Sequence, residues 1–316
     1  MALIDVVVSD IVQETSTVKT FYFARPDGTP VGRYSPGAHI DVVGPTSLTR
    51  QYSLCSRPDD GDTFAVAVKR EENSRGGSVA LHELAVGDIL QISEPRNVLA
   101  IADSATHHVL VAAGIGITPM LSMARYMDVH GISFELHYFS RTEEDAAFLP
   151  LLRDRCPEKL FTHLGVDREQ QESLLVTALE KAPSDTHVYV CGPEGFMDKA
   201  ISVAERFVAE AAVHFESFHA AAQADAVQND SFEVELDGEI YEIPADKSIV
   251  EVLDENGVEI DTSCQEGICG TCTMTVLAGV PEHRDNVLTK AEKEAGELIA
   301  VCVSRCAGKH LVLDYY

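Results

Sequence analysis

The sequence predicts a multi-domain chain with three architectures in series: an antiparallel β-barrel, a doubly wound α/β sheet and a small α+β domain. Three observations predict it. Short β-branched and aromatic segments, broken by Gly, Pro and Asp turns, fill the first hundred residues. From His107 onward strands and helices alternate. After a stretch of small polar residues, the last part of the chain carries a hairpin, a helix and a cysteine-rich loop. At 316 residues the chain is long enough for two or three cores.

In the first part, "DVVVSDIV", "TFYFAR", "RQYSL" and "TFAVAVKRE" read as strands. Many short strands beside one helix indicate a barrel. That helix is "GSVALHEL", with Ser78 as its N-cap. "HVLVAAG" is then a continuous apolar run ending in Gly, as a strand buried on both faces requires. "TPMLSMARYMDVHG" follows as a helix, with Thr118 as N-cap, Pro119 at the first helical position and Gly131 as the stop. Next come "ISFELHYFS", a helix near 144–155, "LFTHLGV", a helix near 170–181, "HVYVCG" and a helix near 194–210. This alternation means a parallel sheet with helices on both faces. "FEVELDGEIYEI" alternates about an Asp237-Gly238 turn, a hairpin signal. "SIVEVLDENG" is a helix with Ser248 as cap and Gly257 as stop. The expected domains are 1–102, 103–218 and 231–316, with 219–230 as linker.

The formal charge of −27 argues against a nucleic-acid partner. It is concentrated toward the C-terminus, where residues 231–316 carry 18 Asp+Glu against 6 Lys+Arg. An acidic surface there suits solubility, salt adaptation or steering toward a basic docking patch. No basic-then-apolar leader opens the chain, and no run approaches the ~18 apolar residues of a membrane span. The expectation is a cytoplasmic protein without membrane contact, whose eight cysteines stay reduced.

The loop "SCQEGICGTC" decides what those cysteines do. Cys264, Cys269, Cys272 and Cys302 give C-x4-C-x2-C-x29-C, the plant-type [2Fe–2S] pattern. Structural zinc sites more often use paired C-x2-C knuckles. Gly267 and Gly270 free the loop to turn its N–H groups toward sulfur, and Ser263, Thr271 and Thr273 add small polar groups. Cys306 competes with Cys302 as fourth ligand, but "LIAVCVS" places Cys302 in an apolar strand-like run.

Other residues suit a phosphate-bearing ligand. In Arg50-Gln51-Tyr52-Ser53-Leu54, Arg50 can pair with a phosphate, Tyr52 lies on the same strand face and Ser53 offers a hydroxyl. Gly76-Gly77-Ser78 opens a helix whose N–H groups suit an anion. "AAGIGITPM" (Ala112–Met120) ends a parallel strand but departs from G-x-G-x-x-G, because Pro119 and Met120 follow where a third glycine is needed. Cys191-Gly192-Pro193 ends another strand, at the edge where open parallel sheets bind ligands. Ser140 and Arg141 end the second parallel strand and can reach an adenosine half. Glu143, Glu144 and Asp145 follow, and carboxylates there accept from a ribose 2′-OH and repel a 2′-phosphate, favouring NADH over NADPH.

On these motifs residues 231–316 resemble a plant-type ferredoxin domain, a β-grasp fold. The whole chain resembles the reductase components of class IA Rieske oxygenases, the phthalate dioxygenase reductase and vanillate O-demethylase reductase group. The resemblance implies a flavin barrel, a nicotinamide domain and a ferredoxin, in that order. A flavin is the expected converter between hydride and one-electron chemistry. The resemblance assigns FMN, rather than FAD, to Arg50, Gln51, Tyr52 and Ser53, to the strand Ala67-Val68-Lys69, and to the R-G-G-S segment with Gly76, Gly77 and Ser78. It brings Gly114, Gly116 and Thr118 to the pyrophosphate and flavin edge, places Cys191, Gly192 and Pro193 beside the nicotinamide, and covers the flavin ring with Phe218 of "HFESF". The implied function is electron transfer from NADH through FMN and the cluster to a terminal oxygenase of the Rieske non-haem iron type. A P450-type acceptor, or a redox-sensing module without turnover, would use the same parts.

Overall fold

The computed structural model describes residues 3–46, 48–71, 76–218 and 230–316. They fall into two compact units, Met1–Glu216 and Ser217–Tyr316. The expected linker, apart from Asp230, lies outside the described residues.

The first unit opens with β1 (Leu3–Gln13), β2 (Val18–Ala24), β3 (His39–Val43), β4 (Thr49–Ser53), β5 (Phe64–Lys69), helix α1 (Gly77–His82) and β6 (Ile89–Ser93). The strands form one antiparallel sheet in the order β4-β3-β6-β1-β2-β5. A bridge between Leu54 and Val66 joins its two edges, so the sheet closes as the barrel pattern requires. Val6, Val8, Phe21, Phe23, Ile40, Val42, Val66 and Ile92 fill the interior. Closure sets β5 beside β4, bringing together the two strands expected at the flavin.

The same unit continues with β7 (His107–Ala113), α2 (Ile117–His130), β8 (Phe134–Ser140), α3 (Leu149–Arg155), β9 (Leu160–Leu164), α4 (Arg168–Leu179), β10 (Thr186–Cys191), α5 (Glu194–Ala204) and β11 (Val213–Glu216). All its strands are parallel, in the order β11-β10-β7-β8-β9. Val109, Val111, Val188 and Val190 pack against Leu175, Leu179, Met197 and Val203 of α4 and α5. The order in which strands are added reverses at β7, with β8 and β9 on one side and β10 and β11 on the other, so the crevice at the C-terminal ends of β7 and β10 is the topological switch point.

The helix expected near 144–155 begins only at Leu149, and two helix caps also differ from the sequence expectation. The N-cap of α2 is Gly116, after a 3-10 turn over Gly114–Gly116, and Thr118 lies inside the helix with its hydroxyl donating to Ile115 O at 3.0 Å. The N-cap of α1 is Gly76 in the left-handed region at φ 95°, not Ser78, whose Oγ accepts from Glu71 N. In both, glycine makes the entry turn and the hydroxyl is drawn to another backbone group.

The second unit holds β12 (Phe232–Leu236), β13 (Glu239–Ile243), α6 (Ile249–Glu255), β14 (Thr273–Ala278), β15 (Pro281–Glu282), α7 (Lys290–Ala295), β16 (Leu298–Ala300), β17 (Arg305–Cys306) and β18 (His310–Tyr315). Its main sheet has the order β13-β12-β18-β14-β16. The β12–β13 turn has Asp237 at φ 55° and Gly238 at φ 80°, the left-handed pair a two-residue hairpin needs. Ser248 and Glu251 form a capping box at α6. Buried Arg305 lies over the Phe232 ring and donates to the carbonyls of Asp230, Pro244 and Lys247.

Candidate functional site

The second unit brings the four predicted cysteines together. They stand close enough to shift one another's ionisation, Cys264 with Cys269 and Cys302, and Cys302 with Cys272. Hydrogen bonds from Cys269 and Cys302 hold Cys264 far below the ordinary thiol range. Cys272 is lowered by Cys302, while the two donors, Cys269 and Cys302, are raised, chiefly by their bonds to Cys264. Backbone N–H groups also point at sulfur: Glu266 N to Cys264 at 3.3 Å and Thr271 N to Cys269 at 3.5 Å. Gly267 and Gly270 make this loop possible at φ 70° and 72°. A Cβ on Gly267 would lie 2.6 Å from the Val303 side chain, so this glycine also lets the loop seat on the turn that bears Cys302.

Cys302 lies in that turn, just past β16 rather than within a strand. Cys306 is directed elsewhere: it accepts from Gly308 N at 3.2 Å and donates to His310 O. Among the described residues no three His, Cys, Asp or Glu side chains are placed to hold a single ion. A chain of four adjoining thiols suits two irons bridged by sulfide better than one tetrahedral zinc. The donor set and its backbone N–H groups fit a [2Fe–2S] cluster.

In the first unit, Gly114, Gly116, Cys191 and Gly192 meet at the switch point. A Cβ on Gly116 would lie 2.3 Å from Cys191 O, and one on Gly192 would lie 2.9 Å from the Ala113 Cβ. These two glycines therefore let the β7 and β10 turns interlock. Cys191 is fully buried, and burial, with Glu216 adding to it, pushes its thiol well above the ordinary range. Pro193 is the N-cap of α5. Ser140 ends β8 and Arg141 is exposed beyond it. Glu143, Glu144 and Asp145 are all exposed, and Glu143 is ion-paired with Arg153.

Arg50 and Gly77 lie side by side, since a Cβ on Gly77 would sit 3.1 Å from Arg50 Cγ. Gln51 and Tyr52 are half-buried along β4; burial pushes the Tyr52 phenol up to about 12, with Arg50 pulling against it. Ala67 and Val68 are buried on β5, with Lys69 at its end. These groups fit a phosphate-bearing planar ligand: a cation, a glycine turn and an aromatic strand face adjoin. Phe218 is half-buried and falls at the start of the second unit.

Ser53 is engaged in a way the sequence did not suggest. Its hydroxyl donates to Glu216 Oε2 at 3.0 Å, and His39 Nδ1 stands 3.4 Å from Glu216 Oε1. Glu216 is 6% exposed and sits beside Cys191 in the β10–β11 register. Barrel and parallel sheet thus meet at Ser53, His39, Glu216 and Cys191, reinforced by Gly37 N donating to Ser122 Oγ and by Arg125 donating to Cys55 O. Glu216 and His39 were missed. The available signal was a lone carboxylate inside "HFESF", at the end of a strand buried in a parallel sheet.

Comparison with known proteins agrees with both halves. The 2Fe-2S iron-sulfur cluster binding domain family matches residues 232–307, and the N-terminal domain of dimethylamine monooxygenase subunit DmmA-like proteins matches 92–212. Vanillate O-demethylase oxidoreductase of Pseudomonas putida is 42% identical over 99% of this chain and 100% of its own length. Oxidoreductase NdmD of the same species is 39% identical over 96% of the chain, which spans about half (52%) of that longer protein. Among solved structures, phthalate dioxygenase reductase matches with TM-score 0.73 and 36% identity, over 99% of this chain and 98% of that one. Full-length CYP116B46 from Tepidiphilus thermophilus matches with TM-score 0.86 and 34% identity, over 98% of this chain but 42% of that one.

Proposed function

Since the chain belongs to the family of oxygenase-system reductases that includes vanillate O-demethylase oxidoreductase and phthalate dioxygenase reductase, we propose that it moves electrons from NADH, through FMN and a [2Fe–2S] cluster, to a terminal oxygenase. The observation that carries this reading is the line of four adjoining thiols in the segment matching the 2Fe-2S domain family. We divide the chain into a flavin barrel (1–102), a nicotinamide domain (103–218), a linker (219–230) and a ferredoxin domain (231–316). The three larger sheets, one in each of these segments, support that division.

When bound, the flavin converts a hydride into single electrons and the cluster carries them onward. The chain's own part is mostly positioning. Cys264, Cys269, Cys272 and Cys302 hold the irons. Arg50 and the Gly76–Ser78 turn hold the flavin phosphate, with Tyr52 and the Ala67–Lys69 strand along the ligand. Gly114, Gly116, Thr118, Gly192 and Pro193 shape the switch-point crevice for the dinucleotide. Phe218 is the aromatic side chain we assign to the flavin. Glu216 fixes the Ser53 hydroxyl at the junction of barrel and parallel sheet, where hydride donor and acceptor would meet, beside the neutral thiol of Cys191. Ser140 and Arg141 face the adenosine half, and Glu144 and Asp145 favour a free ribose 2′-OH over a 2′-phosphate.

A Rieske-type oxygenase is the partner we favour, on the full-length likeness to phthalate dioxygenase reductase. A P450-type acceptor is the second reading, favoured by the likeness to CYP116B46. The test is low-temperature EPR of anaerobic protein after NADH addition, with flavin and iron quantified beforehand. A rhombic [2Fe–2S]+ signal is expected. Flavin bleaching without that signal in iron-replete protein would refute the reading.

A further inference from the structure

The second unit holds a buried carboxylate to which no motif assigns a role. Asp285 lies in the segment between β15 and α7, and its side chain is fully buried. A carboxylate leaves water at a large cost unless its surroundings answer the charge. Here they do so on several sides. Oδ2 accepts from Leu288 N at 2.9 Å, and Oδ1 accepts from Ser304 Oγ at 3.3 Å. Lys293 Nζ, on α7, stands 3.7 Å from Oδ2 and donates to Asp285 O at 2.6 Å. His283 Nδ1 stands 3.6 Å from Oδ1.

The place of this carboxylate gives it a function. Asn286 N donates to Gly267 O at 2.8 Å. A Cβ on Gly267 would lie 3.0 Å from Asp285 Cα and 3.1 Å from Asp285 Cβ. Gly267 stands between Cys264 and Cys269, and Ser304 stands two residues after Cys302. Asp285 therefore touches both the loop that supplies three thiols and the turn that supplies the fourth, without being one of the four. Helix α7 buries no residue of its own, and Lys293 ties it to this junction.

We propose that Asp285 and Lys293 are a charged pair that sets the reduction potential of the [2Fe–2S] cluster, with Asp285 also positioning the cysteine loop against the Cys302 turn. The inference rests on the cluster reading above. Reduction adds a negative charge to a site already held by thiolates. A buried carboxylate nearby opposes that charge and an ammonium nearby favours it. Both groups lie outside the ligand set, where charge and hydrogen bonding tune a metal centre without changing its donors.

The test is an anaerobic potentiometric titration of the flavin- and cluster-loaded full-length protein at one fixed pH, with the cluster followed by EPR. Iron and sulfide are quantified first, so that a wild-type protein without cluster counts against the cluster reading and not against this pair. Asp285→Asn should shift the midpoint upward and Lys293→Gln downward, with the double variant returning toward wild type. Lys290→Gln removes the same charge from an exposed position on the same helix and should move the midpoint much less. Asp285→Ala should lose iron to a chelator about tenfold faster or more, with Asp285→Asn nearer wild type. Should Asp285→Asn hold no cluster, the comparison of Lys293→Gln with Lys290→Gln still decides. The proposal is overturned by shifts of the same sign, by an equal shift in Lys290→Gln, or by wild-type midpoints in cluster-replete variants. Wild-type iron retention in Asp285→Ala would overturn the positioning role.

Discussion

Replacing Gly116 by alanine tests the switch-point geometry most directly. The new methyl would lie 2.3 Å from Cys191 O, 2.4 Å from Cys191 C and 2.7 Å from Gly192 N. All three are backbone atoms, so no side-chain rotation relieves the contact. Restoring a tolerable 3.0 Å requires the β10–α5 turn to retreat by about 0.7 Å. Overpacking of this kind costs about 1–3 kcal/mol. At ~2–4 °C per kcal/mol for a unit of this size, the Met1–Glu216 unit should melt about 2–12 °C lower. The larger effect is on rate, because a shift approaching 1 Å in a hydride-transfer geometry costs on the order of a hundredfold. Stopped-flow reduction of the flavin by NADH reads that loss, and iron content should stay at wild-type level, since the cysteines belong to the other unit. Gly28→Ala is the control: Gly28 has φ 75° with nothing within 4 Å, so it loses about 1–2 kcal/mol to strain without moving Cys191. Wild-type reduction by Gly116→Ala, or an equal slowing by Gly28→Ala, would refute the reasoning.

Three other outcomes are expected. Cys302→Ser should lose the cluster by iron and sulfide analysis while Cys306→Ser keeps it; the reverse pattern would reassign the fourth ligand. Ser53→Ala and Glu216→Gln should each slow flavin reduction about tenfold, and the double variant little more, because the two act through one hydrogen bond; additive losses would separate them. Burial depresses His108, His163 and His214 to about 4, whereas unfolded histidines take up protons near 6.5. The unfolded chain therefore binds more protons across that window, so this stability is present above it and declines as pH falls toward 4. Urea midpoints followed by tyrosine fluorescence should drop from pH 7 to pH 5, less steeply in His108→Asn; identical slopes in the two proteins would contradict the burial of His108.

Legibility in the sequence followed the range of the interaction. The Asp237-Gly238 hairpin, the Ser248 cap and the Gly131 stop depend on a few consecutive residues, and each was readable. The cysteine spacing was readable because one short loop supplies three of the four thiols. Caps at Thr118 and Ser78 were misread because a glycine already made the turn, freeing each hydroxyl for another group. Short α7 was not anticipated, although Thr289 and Glu292 form a capping box, because it buries no residue and so has no apolar stripe. Ser53 meets Glu216 across 163 positions, a contact no local pattern encodes. The parallel register that sets Glu216 beside Cys191 is equally non-local.

Arg305 gives the second unit a mechanical property. Its guanidinium grips the carbonyl of Asp230, where the described chain resumes, together with those of Pro244 and Lys247. Arg305 itself stands three residues after Cys302. Load arriving along the chain at Asp230 is thus taken up by a clamp anchored beside the turn that carries the fourth thiol. One side chain therefore holds both the entry to the domain and the segment that follows Cys302.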